Sequence, residues 1–126
     1  MKKLESREDI EFLVNTFYDK IIKDEMIGFF FKEVVNVDWE RHLPTMYSFW
    51  ESILFGQMSY KGNPMQKHFP INQMQAMEKK HFERWLLLWK TTIEENFSGE
   101  NASMAITKSE NIANLMAYKM EMARKL

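Results

Sequence analysis

Apolar positions recur along this chain every three to four residues, and no stretch alternates apolar and polar for the length of a strand. The pattern predicts an all-α chain. Ile10, Val14, Phe17 and Ile21 form one apolar stripe on a first helix that runs to about Lys23, with Ser6 as its cap and Asp9 at the capping-box position. After Gly28, Phe29-Phe30-Phe31 is enough for one turn that drops an aromatic into the core. Asn36 and Asp38 mark a restart, and from about Trp39 to Phe55 the positions His42, Met46, Phe49 and Ile53 share a face. Pro44 cannot sit deep inside a helix without breaking a hydrogen bond, so the regular helix is expected from near Arg41.

Gly56 to Gly62 reads as loop, and Asn63-Pro64 as a helix start with proline in the first turn, where its missing N–H costs nothing. Pro70 follows closely, so the helix carrying His68 is expected to last about two turns at most. From about Gln75 to Phe97 two stripes are apolar: Met77, His81, Trp85 and Leu88 on one, Phe82, Leu86, Trp89, Ile93 and Phe97 on the other. A helix apolar on two sides is central. Gly99 ends it, and a last helix from about Asn101 to Arg124 offers Ile112, Leu115, Met116 and Met120 to the same core. The expected total is four longer helices and two short ones.

Composition sharpens this picture. At 126 residues the chain fits one domain, 1–126. Aromatics make up 14%, with 10 Phe, 4 Trp and 4 Tyr, so the core is rich in flat, rigid side chains that suit a flat ligand. Lys and Arg number 17 against 18 Asp and Glu, a balance that favours neither nucleic acid nor an anionic membrane as partner. The absence of Cys removes disulfides, thiolate metal sites and Cys nucleophiles, and makes the cytoplasm the default setting. The start, MKKLESREDIEF, lacks the apolar segment of a signal peptide. The longest apolar runs, such as Trp85 to Trp89, are about five residues against the roughly 20 needed to span a bilayer.

Metal or acid–base chemistry therefore falls to His42, His68 and His81. A lone histidine in a helical domain is more often a surface or satisfied core residue than a ligand. His68 gains from context, because a Pro-started short helix holds its ring and Lys67 and Phe69 flank it. A haem needs one axial nitrogen, apolar walls and a few cations or hydroxyls at its propionate edge. Lys67 and Tyr60 suit that edge, or else are a solvated lysine and a loop tyrosine capping the core. His42 heads the stripe Met46, Phe49, Ile53 and looks either into the pocket or into water. Glu78 and His81 match the Glu-x-x-His element of di-iron bundles, but no second such element exists in the chain. Tyr18 and Trp85 lie on or beside apolar stripes yet carry donors that need partners when buried; core filling is the plain alternative.

Four ordered motifs, FYDKI around Tyr18, WERHLPTMYSFW from Trp39 to Trp50, YKGNPMQKH from Tyr60 to His68 and HFERWLLLW from His81 to Trp89, resemble the group III truncated haemoglobins. These are small globins with a 2-over-2 helical sandwich around a haem and a short proximal helix, and the resemblance spans about residues 7 to 122. The lack of paired glycines also fits this group. The resemblance implies haem b (iron protoporphyrin IX) with His68 as proximal ligand, and Phe31 as the aromatic packed on the haem, with Phe29 and Phe30 as alternatives. It further implies Tyr18 and Trp85 as distal donors, His42 at the distal entrance, and Met46, Phe49 and Trp50 packed on the haem. Contact of Tyr60 and Lys67 with the propionates is added from their chemistry alone.

A Tyr18 hydroxyl or Trp85 indole N–H aimed at bound oxygen, which carries partial negative charge, is worth about 1.5–3 kcal/mol. Expressed in dissociation, each donor slows release about tenfold to a hundredfold. The expected protein binds oxygen, nitric oxide and carbon monoxide reversibly, and holds oxygen tightly. Two alternatives stand beside it: a haem redox enzyme, oxygenating nitric oxide or reducing peroxide with an external electron donor, and a cofactor-free helical interaction domain.

Overall fold

In the structure, a computed structural model that describes residues 1–125, Ser6 opens helix α1 (Arg7–Ile21) through a reciprocal cap. Ser6 Oγ accepts from the Asp9 N–H at 3.2 Å, and Asp9 Oδ2 accepts from the Ser6 and Glu5 N–H groups at 3.1 and 3.0 Å. The box read from the sequence is therefore present, and Lys2 adds an ion pair to Asp9 at 2.7 Å. Then come a π-helical turn (Phe30–Val34), α2 (Trp39–Phe55), α3 (Pro64–Met74), α4 (Lys79–Asn96) and α5 (Glu100–Arg124). The aromatic turn is wider than one α turn: the Val35 N–H bonds to the Phe30 carbonyl, five residues back, at 2.9 Å.

Helix α4 packs on α5 and α1 on α2, and the two pairs meet through α1 with α4 and α2 with α5. This is the all-α, 2-over-2 sandwich that the resemblance implies. The contact is aromatic. Trp89, almost fully buried, stacks on Trp50 with centroids 4.7 Å apart, while Phe17 meets the Trp89 ring edge-on at 4.9 Å. Ile10, Leu13, Ile21 and Ile93 close around them, each contributing about 1.5–3 kcal/mol by burial.

Several boundaries differ from those expected. Helix α3 runs eleven residues, not two turns, and keeps Pro70 inside it. Pro70 deprives only the Gln66 carbonyl of a partner, and both residues are exposed, so that carbonyl is not stranded in the core. Helix α2 starts at Trp39 rather than near Arg41, because Pro44 deprives only Glu40, in the exposed first turn. Helix α1 ends at Ile21, where Asp24 turns the chain by accepting from the Met26 and Ile27 N–H groups, both at 3.1 Å.

Helix α4 begins at Lys79, four residues later than expected from Gln75. The Met77 N–H is taken by the Asn72 side chain at 3.0 Å, and the Glu78 N–H by His81 Nδ1 at 2.9 Å, so a side-chain cap replaces a further helical turn. Leu115, expected in the core, is 51% exposed on the outer face of α5. The chain also contains strand, against expectation: β1 (Lys2–Lys3) pairs in parallel with β2 (Phe97–Ser98). Two residues are too few to show alternation. Gly99, at φ +97°, then turns the chain into α5 in a conformation L side chains rarely adopt.

Candidate functional site

A cavity of about 440 Å³ lies between α2, α3, α4 and the π-helical turn, within the roughly 300–1,000 Å³ of typical small-molecule sites. Apart from Phe29, an alternative to Phe31, the residues given site roles in the sequence border it. Helix α3 brings His68, with Lys67 beside it, and Tyr60 comes from the loop before. Helix α2 contributes His42, Met46, Phe49 and Trp50, helix α4 contributes Trp85, and Tyr18 and Phe31 complete the wall. Of the three consecutive phenylalanines, Phe30 and Phe31 both border the cavity and Phe29 does not.

His68 hydrogen-bonds through Nδ1 to the Pro64 carbonyl one turn earlier. A carbonyl can only accept, so Nδ1 carries the proton and Nε2 keeps its lone pair. Burial pushes the ring pKa below its ordinary value, against the opposing pull of that carbonyl. The neutral tautomer with a free Nε2 is the form a metal requires. Pro64, at the first position of α3, holds this partner in place, and Asn63 caps the helix by accepting from the Gln66 N–H at 3.2 Å.

On another wall the Tyr18 hydroxyl stands 2.9 Å from His42 Nε2. Burial pushes the Tyr18 pKa well above its usual value, so the hydroxyl keeps its proton. Burial, then the nearby His68 and Lys67, lowers the pKa of His42 and keeps the ring neutral. Trp39, half-buried and not foreseen, holds this pair: its ring centroid is 5.3 Å from Tyr18 and 5.7 Å from His42, and it stacks on Phe31 at 6.1 Å. Trp85 is fixed from behind by Phe17, edge-on at 5.7 Å, and by Trp89, stacked at 6.2 Å.

The segment leading into the turn that bears Phe31 is pinned by Asp24, whose carboxylate pairs with Arg84 Nη2 at 2.7 Å besides accepting from the Met26 and Ile27 N–H groups. At the rim, Tyr60 packs its ring on Phe49 at 5.2 Å, and Lys67 is exposed beside it. Arg41, also exposed, joins them; its place next to His42 was the signal that would have found it. Ile71, one turn beyond Lys67, was missed for want of any chemical mark. His81 borders the cavity as well, but its Nδ1 is engaged as the α4 cap and its ring meets Phe30 edge-on at 5.0 Å.

The donor set suits a metal that arrives inside a macrocycle. Among the described residues no three His, Cys, Asp or Glu gather to hold a bare ion. One histidine offering Nε2, a largely aromatic and aliphatic wall, and cations at the rim are what an iron porphyrin asks of a protein. Among the described residues no helix is long and apolar enough to cross a membrane.

Comparison with known proteins agrees. The group 3 truncated hemoglobin ctb of Campylobacter jejuni is 26% identical over 112 residues, covering 86% of this chain and 86% of that one. The crystal structure of group III truncated hemoglobin from Campylobacter jejuni superposes with a TM-score of 0.81 at 26% identity, covering 95% of each chain. The resemblance read from the four motifs is thus borne out in family and fold. A family model described as bacterial-like globin matches residues 2–121. The chain belongs to the bacterial-like globin family and is a globin-type haem protein.

Proposed function

We propose that the protein, acting as one domain over 1–126, binds oxygen, nitric oxide and carbon monoxide reversibly at a haem held by His68, and releases oxygen slowly. The observation that carries this reading is the shared cavity: a neutral His68 with Nε2 free, and the Tyr18 and Trp85 donors on other parts of the same wall. The haem, when bound, supplies an iron that takes up a diatomic ligand and shifts negative charge onto it. His68 would hold the group through Nε2. Phe31, Met46, Phe49 and Trp50 would pack on it and exclude water, and Tyr60 and Lys67 would offer a hydroxyl and a cation to its acidic groups. A cysteine-free chain has no thiol for covalent attachment, which favours non-covalent haem b, and it accords with a cytoplasmic setting.

Tyr18 keeps its proton at neutral pH and offers it towards charge that develops in the cavity. Its partner His42 settles the direction. With Nε2 protonated, His42 donates to the Tyr18 oxygen and leaves the hydroxyl hydrogen free for a ligand; with Nδ1 protonated, Nε2 accepts that hydrogen instead. Charge on a ligand favours the first arrangement.

The same pair supports a second reading, haem redox chemistry with nitric oxide or peroxide and an external electron donor. His42, half-buried between the rim and Tyr18, is placed to pass a proton inward at Nε2.

The purified protein is expected to be red with a Soret band, and His68→Ala to lose haem. A colourless protein that stays folded and ignores added haemin overturns the assignment and favours a cofactor-free interaction domain. Transient kinetics of the oxygenated protein with nitric oxide and with peroxide separates reversible binding from turnover.

A further inference from the structure

Helix α3 carries the ligand histidine with little apolar anchorage. Pro64 and Pro70 donate no backbone hydrogen bonds, Phe69 and Ile71 are only half-buried, and the one buried residue of the helix is Asn72. Asn72 stands four residues after His68, on the same face one turn along. Its amide makes three hydrogen bonds. Nδ2 donates to the Met120 carbonyl at 3.0 Å, and Oδ1 accepts from the Met77 N–H at 3.0 Å and from Arg124 Nη1 at 2.8 Å. Arg124 Nη1 also donates to the Met77 carbonyl at 2.7 Å, closing a ring of bonds between α3, the α3–α4 connection and the last turns of α5.

We propose that Asn72 is the positioning residue of the ligand helix: its hydrogen-bond bracket to Met77, Met120 and Arg124 sets where α3, and with it the His68 ring, stands against the cavity. Apolar contact is non-directional and allows a half-buried helix to slide or roll. Three bonds with defined angles do not. Met77 itself borders the cavity, so the bracket joins two parts of one wall and couples the C-terminal turn of α5 to the histidine side. The role rests on the reading that His68 holds a haem.

The test compares haem-loaded variants by the iron–histidine stretching band in resonance Raman spectra and by the rate of haemin transfer to an acceptor apoprotein. Asn72→Leu removes all three bonds at similar volume. It is expected to shift and broaden the band and to speed haem loss about 10–100-fold, the usual cost of removing groups that orient a metal ligand. Asn72→Asp keeps the two accepted bonds and should return the band towards that of the wild type. Arg124→Ala works from the exposed end of the bracket, where folding is not at risk, and should shift the band in the same direction by less. Ile93→Val, buried in α4 away from α3, lowers stability without touching the bracket and should leave the band in place. An unmoved band in both Asn72→Leu and Arg124→Ala, or an equal shift in Ile93→Val, overturns the positioning role while leaving haem binding intact. A wild-type protein that takes up no haem overturns the reading of His68, and this role with it.

Discussion

The Tyr18 hydroxyl and His42 Nε2, 2.9 Å apart, form one hydrogen-bonded unit whose direction is set by the His42 tautomer. The hydrogen-bond partner of a buried phenol is thus a histidine that burial keeps neutral. Removing either member leaves the other without its partner. Tyr18→Phe and His42→Leu are each expected to destabilise the apoprotein by about 1 kcal/mol, and the double variant by clearly less than the sum. Chemical denaturation of the four proteins measures the coupling; strict additivity would show that the bond is not formed.

Oxygen release reads the same tyrosine from the cavity side. Tyr18→Phe should raise the off-rate about tenfold to a hundredfold, from a charge-assisted bond of about 1.5–3 kcal/mol. Trp85→Phe tests the indole in parallel. Stopped-flow displacement of oxygen by carbon monoxide gives both rates, and unchanged values in both variants would remove the donors from the account.

All three histidines have pKa values held below the ordinary 6.5, each mainly by burial. The unfolded chain therefore binds protons that the folded apoprotein refuses, so stability is full above about pH 6.5 and falls as the pH drops through the lowered values. Asp9 and Asp24 extend the loss at lower pH. Burial pushes both carboxyls up, but bonds from Lys2 and the Glu5 and Ser6 groups to Asp9, and from Arg84, Ile27 and Met26 to Asp24, hold both below their usual value. Urea midpoints across this range check the sign. A midpoint that rises on acidification would contradict it.

The cap on α1 provides a test independent of any ligand. Ser6→Ala removes one arm of the box and should cost about 0.5–2 kcal/mol. Asp9→Ala should cost more, because it strips two backbone N–H groups and the Lys2 pair from a buried position. Thermal unfolding of the two variants ranks them.

At the rim, Lys67 is exposed, so its attraction for an acidic cofactor edge is screened by salt. Lys67→Ala should speed haem loss a few-fold in dilute buffer and hardly at all in strong salt. Equal effects in both buffers would assign Lys67 a packing role instead.

Much of this molecule was legible because helices write their period into the sequence, and because the site uses residues with distinctive chemistry. His68, Tyr18 and Trp85 stand out in a chain with three histidines and no cysteine. What escaped notice depends on surroundings. Pro70 looks like a helix end until the exposure of Gln66 is known. His81 resembles half of a metal motif and serves as a cap. Asn72 looks like any polar helix residue, since its partners Met120 and Arg124 lie 48 and 52 positions away. Leu115 follows the apolar period of α5 yet points outward, because periodicity states that a face exists but not whether anything covers it.

The stacking of Trp50, Trp89 and Trp85 gives the protein an optical property of its own. Two of these indoles form the wall of the cavity, the third lies sandwiched behind them, and Trp39 packs nearby on Tyr18 and Phe31. Every tryptophan in the chain therefore emits within a short distance of whatever fills that space. A strongly absorbing guest will extinguish the ultraviolet fluorescence, and its departure will restore it, so occupancy can be followed in solution without a label.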